Sequence, residues 1–181
     1  MENIYLDKTL RTPAVEFNFE KNYLEISGIS IPENADRFYA YLLDWVEDYV
    51  ALKQDVQTTV TLKLFCYNST SAAYLVSMLK RLKVLDKKSV ANGSPASPEH
   101  LIIHWYYEEG DEDMQEEGKL IESMVNIPFA FHACEEISYR PKMMIWLFDI
   151  FCLEETGHTY ASLRLRPYIY ECRRPSSTRL L

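Results

Sequence analysis

Four consecutive polar residues, Asn68-Ser69-Thr70-Ser71, stand in the stretch "FCYNSTSAAY" between an apolar strand and a helix-forming segment. Hydroxyls at a strand-to-helix corner support two kinds of chemistry. One of these residues can cap the helix, because Asn, Ser and Thr accept hydrogen bonds from the unpaired first N–H groups. Alternatively, one hydroxyl can accept a phosphoryl group, which adds about −1.5 to −2 charges next to the positive end of the helix dipole. The residues alone leave Ser69 and Thr70 both open as the acceptor, with Ser71 a further alternative, and Asn68 and Ser71 are the candidate capping residues. Tyr74 and Lys80, on the outer side of the following helix, are candidates for a partner-binding surface near the corner.

Other reactive residue types form no comparable constellation. His100, His104, His132 and His158 lack ligand-like spacing with Cys66, Cys134, Cys152 and Cys172, so no metal is expected. His104 lies in the strand run "LIIHWYY", where a packed, hydrogen-bonded imidazole is the expected role, and Tyr106 and Tyr107 point to opposite faces of that strand. GxSxG, P-loop and HExxH motifs are absent, which argues for no enzyme and no cofactor. "EEGDEDMQEE" (108–117) reads as a solvated loop and first helical turn, with a docking surface for a basic partner as the alternative. The match of "RRPSS" (173–177) to a basophilic kinase site is a chance one.

The elements that position the corner follow from periodicity. "AVEFNFEKNYLEISG" alternates on both sides of a turn at 20–22 and predicts a β-hairpin with Val15, Phe17, Phe19, Leu24 and Ile26 on one face. A helix follows over about 33–52, with Phe38, Leu42, Trp45, Tyr49 and Leu52 in one stripe. "TTVTLKLFCY" (58–67) predicts a central strand with Val60, Leu62, Leu64 and Cys66 on one side. A second helix runs over about 71–85 with Leu75, Met78, Leu79, Leu82 and Leu85 inward, and a loop covers 86–100. Residues 101–107 form a strand. Next comes a helix with Met114, Leu120, Ile121, Met124 and Val125 on its apolar face, and a last strand over 127–133. The order β-β-α-β-α-β-α-β predicts an α/β (α+β) fold, a mixed sheet covered by helices.

Charge and composition narrow the class. The 181-residue chain carries a net charge of −8, which disfavours nucleic acid and anionic membranes as partners. A polar N-terminus and unpaired cysteines predict a reduced cytoplasmic protein. The apolar run "MMIWLFDIFCL" is too short to span a bilayer, so no membrane insertion is expected. Residues 135–181 hold seven Lys and Arg against six Asp and Glu, unlike the acidic remainder. The chain therefore divides into a first domain, 1–134, and a C-terminal extension, 135–181.

Several segments resemble the SiaC family of bacterial regulatory phosphoproteins: Thr12-Pro13 and the hairpin, "PEN" at 32–34, "DWVE" at 44–47, "LKLFCYNSTSAAYLVSMLKRL", and "IIHWYYEEGDEDMQEEGKLIESMVNIPFAF". The resemblance covers about residues 10–133 and implies a STAS-like fold, as in anti-sigma-factor antagonists. It also implies reversible phosphorylation of the corner by a dedicated serine/threonine kinase and a PP2C-type phosphatase. The unphosphorylated form is implied to activate a diguanylate cyclase, promoting cyclic di-GMP and biofilm signalling. The family's Asn falls on Asn68, its phosphorylated Thr on Ser69, and its two following Ser on Thr70 and Ser71. Ser for Thr at position 69 departs from the family pattern, and a register of one moves the site to Thr70. An anti-sigma-factor antagonist in a partner-switching module is the alternative, with a small-molecule-binding domain the reading from a different class.

Overall fold

The computed structural model describes residues 1–53, 56–85, 100–135 and 137. Residues 86–99, where a loop was expected over 86–100, and everything beyond 137, including "MMIWLFDIFCL" and "RRPSS", lie outside the described residues. The elements in chain order are β1 (Ile4–Leu6), β2 (Ala14–Asn18), β3 (Tyr23–Ser30), α1 (Ala35–Leu52), β4 (Thr58–Tyr67), α2 (Ser69–Leu82), β5 (Leu101–Glu108), α3 (Glu112–Val125) and β6 (Phe129–Cys134). The six strands form one sheet in the order β1-β2-β3-β4-β5-β6. The first two pairings are antiparallel and the last three parallel.

The expected elements are present, with one addition. β1 carries a single buried apolar residue, Ile4, so no alternation betrays it. Its place depends on distant groups. Trp45 Nε1 donates to the Glu2 carbonyl at 2.7 Å, Phe19 N donates to Asn3 Oδ1 at 2.8 Å, and Asn18 Nδ2 donates to the Tyr5 hydroxyl at 2.9 Å. The hairpin register sets Val15 opposite Ile26 and Phe17 opposite Leu24, all buried. Asn22 takes φ 52° in the turn, a left-handed conformation that Asn tolerates well.

Because each parallel crossover steps one strand in the same direction, a constant hand puts all three helices on one face. In agreement, α2 packs against both α1 and α3. Among the described residues the helix cover is thus one-sided. Core residues Leu24, Ile26, Val60, Leu62, Ile103 and Trp105 face the helices, while Glu25, Lys63, His104, Tyr106 and His132 occupy the other, half-exposed face.

The helical stripes are shifted in three places. Leu52 is exposed where α1 ends, and Leu120 and Met124 stand out on α3 at 49% and 50% exposure. Tyr39, Leu43, Val46 and Gly118 take inward positions instead. On β4 the alternation breaks near its end: Gly28 pairs with Leu64 but Ile29 with Cys66, so Phe65 is an extra residue. This β-bulge flips the phase, burying Tyr67 and leaving Cys66 half-exposed, against the expected inward Cys66.

α3 sits close to β5 because Gly118 has no side chain. A Cβ there would stand 2.6 Å from Trp105 Nε1 and 2.8 Å from Phe131 Cε1. Trp105 is itself held, its indole donating to the Met114 carbonyl at 3.1 Å. Gly118→Ala is therefore expected to destabilise the domain by about 1–3 kcal/mol through overpacking, despite alanine's better helix propensity. Denaturant unfolding followed by circular dichroism measures it, and an unchanged or raised midpoint would contradict this packing.

On the open face His104 Nδ1 and His132 Nε2 are 2.8 Å apart, so one ring donates and the other accepts. Tyr106 stacks on His132 at 4.7 Å. Burial, and then the neighbouring His132, hold the His104 pKa below its ordinary 6.5. The folded chain then binds fewer protons than the unfolded chain in the window just below 6.5. The resulting stability is whole above 6.5 and lost as pH falls through the depressed folded value. Unfolding midpoints at about pH 7.5 and about pH 5.5 should show a drop that shrinks in His104→Gln.

Candidate functional site

The carboxyl edge of the parallel strands carries the starts of all three helices, and each is capped alike. Asn34, Asn68 and Asp111 accept from the N–H groups of Arg37, Ser71 and Met114 at 2.8, 2.8 and 2.9 Å. In each case the acceptor sits at the cap and the donor three residues on, satisfying one of the orphan donors of the first turn. The cap at the 68–71 corner is therefore Asn68, and the helix begins at Ser69, two residues earlier than its apolar pattern indicates.

The three hydroxyls have different fates. Ser71 is fully buried. Its hydroxyl donates to the Ser30 carbonyl at 2.8 Å and accepts from Ser30 Oγ at 3.0 Å. With its proton given to Ser71, Ser30 Oγ can only accept from the Tyr39 hydroxyl, 2.6 Å away. The order Tyr39 to Ser30 to Ser71 to the Ser30 carbonyl thus has every proton assigned. Desolvation pushes the Tyr39 phenol pKa up, keeping it a neutral donor. Asn68 N adds a bond to the same Ser30 carbonyl at 3.2 Å. Ser69 and Thr70, by contrast, are exposed above this network. Ser71, named as an alternative acceptor, is held inside the fold, and Ser69 and Thr70 are the hydroxyls that the corner exposes.

The surroundings complete the electrostatics. α1 has Asp36 in its first turn and α3 has Glu112 and Asp113, whereas the first turn of α2 has no acid. The positive end of α2 is thus the one among these three without a carboxylate, and it carries two exposed hydroxyls instead. Tyr74 stacks on Tyr39 at 5.0 Å with the rings 3° from parallel, and its hydroxyl donates to Asp36. That bond raises the Tyr74 pKa. Tyr74 is therefore engaged within the domain. Lys80 is exposed but lies eleven residues along α2 from Ser69, about 16 Å at the rise of an α-helix.

A cavity of about 500 Å³ lies elsewhere, on the open sheet face, where Glu25, Lys63, Tyr106 and Cys134 line it. Lys63 Nζ is 3.3 Å from Glu25 Oε2, so its cation and carboxylate neutralise one another. Burial, then Glu108, pushes the Cys134 thiol up, away from a reactive thiolate. No group of three or more metal-ligating side chains occurs among the described residues.

The chain matches the model of the SiaC family of regulatory phosphoproteins over residues 6–134. It belongs to the SiaC family. An uncharacterized protein of Pseudomonas aeruginosa strain UCBPP-PA14 is 26% identical over 136 residues, which is 75% of this chain and all of the relative. Among solved structures, SiaC of Pseudomonas aeruginosa is 25% identical with a TM-score of 0.59, covering 74% of this chain and 100% of that one. A chain in the crystal structure of the diguanylate cyclase SiaD in complex with its activator SiaC is 24% identical with a TM-score of 0.60, covering 72% and 99%. The mixed α/β architecture is therefore that of the SiaC structures. No helix among the described residues is long and apolar enough to cross a membrane.

Sequence reasoning located the corner and missed what lies under it. Asn68 followed three residues later by Ser71 was a legible capping signal. Ser30 and Tyr39 had none, because Ser30 reaches the corner only through the pairing of β3 with β4, and Tyr39 only through the packing of α1 against α2. Ser71→Ala would leave the Ser30 hydroxyl without its buried acceptor and is expected to cost about 1–3 kcal/mol. Ser69→Ala, on the exposed side, should cost less than about 0.5 kcal/mol. Urea unfolding of the two variants checks the difference, and equal losses would refute the assigned network.

Proposed function

We propose that this SiaC family member is a non-enzymatic, cytoplasmic phosphoprotein that activates a diguanylate cyclase, with Ser69, or Thr70 one residue on, as its phosphoacceptor. The observation that carries the reading is the first turn of α2, which offers a positive dipole end with no acid, and two exposed hydroxyls over a buried, fully bonded base. A kinase would transfer the γ-phosphoryl group of ATP to the hydroxyl, releasing ADP and taking the hydroxyl proton. A PP2C-type phosphatase would hydrolyse the ester. The base under the corner lets this happen without unfolding, because Asn68 and Ser71, not the acceptor, hold the helix start. The added charge of about −1.5 to −2 would change the surface that a partner meets.

The cyclase is supported by the solved relative in which SiaC is the activator of SiaD. In this reading the regulatory unit is residues 1–134, with 135–181 an extension to it. The unmodified form is the activating one, and phosphorylation releases the partner.

Peptide mass spectrometry after incubation with a candidate partner kinase and ATP tests the site in wild type, Ser69→Ala and Thr70→Ala. One phosphate lost only in Ser69→Ala places the acceptor there, and loss only in Thr70→Ala moves it by one. Cyclic di-GMP synthesis by the cognate cyclase should rise with the unmodified protein and fall by at least about tenfold with the phosphorylated form, the size of effect expected when a charge is forced against a docked surface. Failure of either form to alter synthesis would exclude the cyclase reading.

A further inference from the structure

We propose that the hydrogen bond from Tyr74 to Asp36 is the joint through which the charge state of the corner reaches α1, making Tyr74 a positioning residue of the switch. This rests on the reading of Ser69 or Thr70 as the phosphoacceptor.

Three observations lead there. First, Tyr74 follows Thr70 by four residues and so lies on the same side of α2. Long side chains on a helix lean toward its N-terminus, which directs Tyr74 along the side of α2 that carries Thr70. Second, its hydroxyl does not end on α2: it crosses to Asp36, in the first turn of α1. Third, the ring cannot swing freely, because it stacks on Tyr39, whose own hydroxyl is committed to Ser30. The phenol is therefore held on the Asp36 carboxylate, on the side of α2 that also carries Thr70.

A phosphoryl group on either hydroxyl brings a second anion to a place where one donor already serves Asp36. Charged phosphate oxygens are strong acceptors, and like charges repel the carboxylate. The Tyr74 O–H turns to the phosphoryl oxygens and Asp36 is released. The first turn of α1 then loses its tie to α2, while the buried Tyr39–Ser30–Ser71 network beneath stays intact. The chemistry at the corner is thereby converted into a change on the neighbouring helix. A partner lying across the starts of α1 and α2 would meet both changes at once.

The test uses full-length protein carrying phosphoserine encoded at position 69, or phosphothreonine encoded at position 70, so that no kinase is needed. Tyr74→Phe keeps the ring stack and removes the hydroxyl. Amide hydrogen exchange is followed at Phe38, Tyr39 and Ala40. Encoded phosphate in at least one position should speed exchange there by about tenfold, the signature of local opening. Tyr74→Phe alone should do the same, and phosphate added to Tyr74→Phe should add little. Equal acceleration by phosphate with and without the Tyr74 hydroxyl would overturn the proposal, as would unchanged exchange in both phosphorylated proteins. Asp36→Asn, which removes the repulsion but keeps an acceptor, should blunt the effect of phosphate, and a full effect in that variant also counts against the joint. Because the phosphate is encoded, these outcomes are independent of whether a kinase modifies the corner, which the mass spectrometry decides separately.

Discussion

The carbonyl and hydroxyl of Ser30 tie together the edge of this domain where α2 begins. One residue at the end of β3 receives the Asn68 amide and the Ser71 hydroxyl through its carbonyl, gives its own proton to Ser71, and accepts from Tyr39. A strand end, the start of α2 and the first turns of α1 are thus joined by protons whose directions are all determined. Inside a protein an unpaired polar group costs far more than a paired one gains, so such a cluster tolerates no partial occupancy. The cluster thereby separates the hydroxyl that belongs to the fold from the two that belong to the surface.

The sheet geometry delivers Ser30 to this place. A parallel β3–β4 pairing brings the two strand ends to the same edge, and the bulge at Phe65 shifts the register so that Ser30 pairs with Tyr67, next to Asn68. Without the bulge the alternation of β4 would continue, and Tyr67 would face the open side. Tyr67 instead lies in the core, where it meets Trp105 edge-on at 6.3 Å. A local irregularity thereby sets both a core contact and the position of the corner.

Among the described residues, helix cover on one side gives the sheet two unlike faces. On the helical side, all three helix starts point out at a single edge, and acids balance two of the three dipoles. The third is left for the hydroxyls of α2. On the open side, the half-exposed polar and aromatic residues satisfy one another: Lys63 with Glu25, His104 with His132, Tyr106 against His132. A group that can gain or lose charge matters most where its neighbours have not already compensated it, which sets the start of α2 apart from the open side.

The sequence by itself determined most of the elements and the identity of the corner. Alternation in "AVEFNFEKNYLEISG" and "TTVTLKLFCY" and the stripes of α1 and α2 are local patterns, produced by which face each segment buries. Asn68 with Ser71 is a local capping spacing. Only the tertiary structure decided the rest. β1 has one inward apolar residue and owes its place to Trp45, 43 positions from Glu2. Leu120 and Met124 fit a helical stripe yet face outward, because the close approach of Gly118 to Trp105 sets the rotation of α3. The three hydroxyls of the corner are alike in sequence, and it is the approach of Ser30, 41 residues before Ser71, that buries one and leaves two exposed. Contacts between residues so far apart depend on strand pairing and helix packing, which no local spacing records.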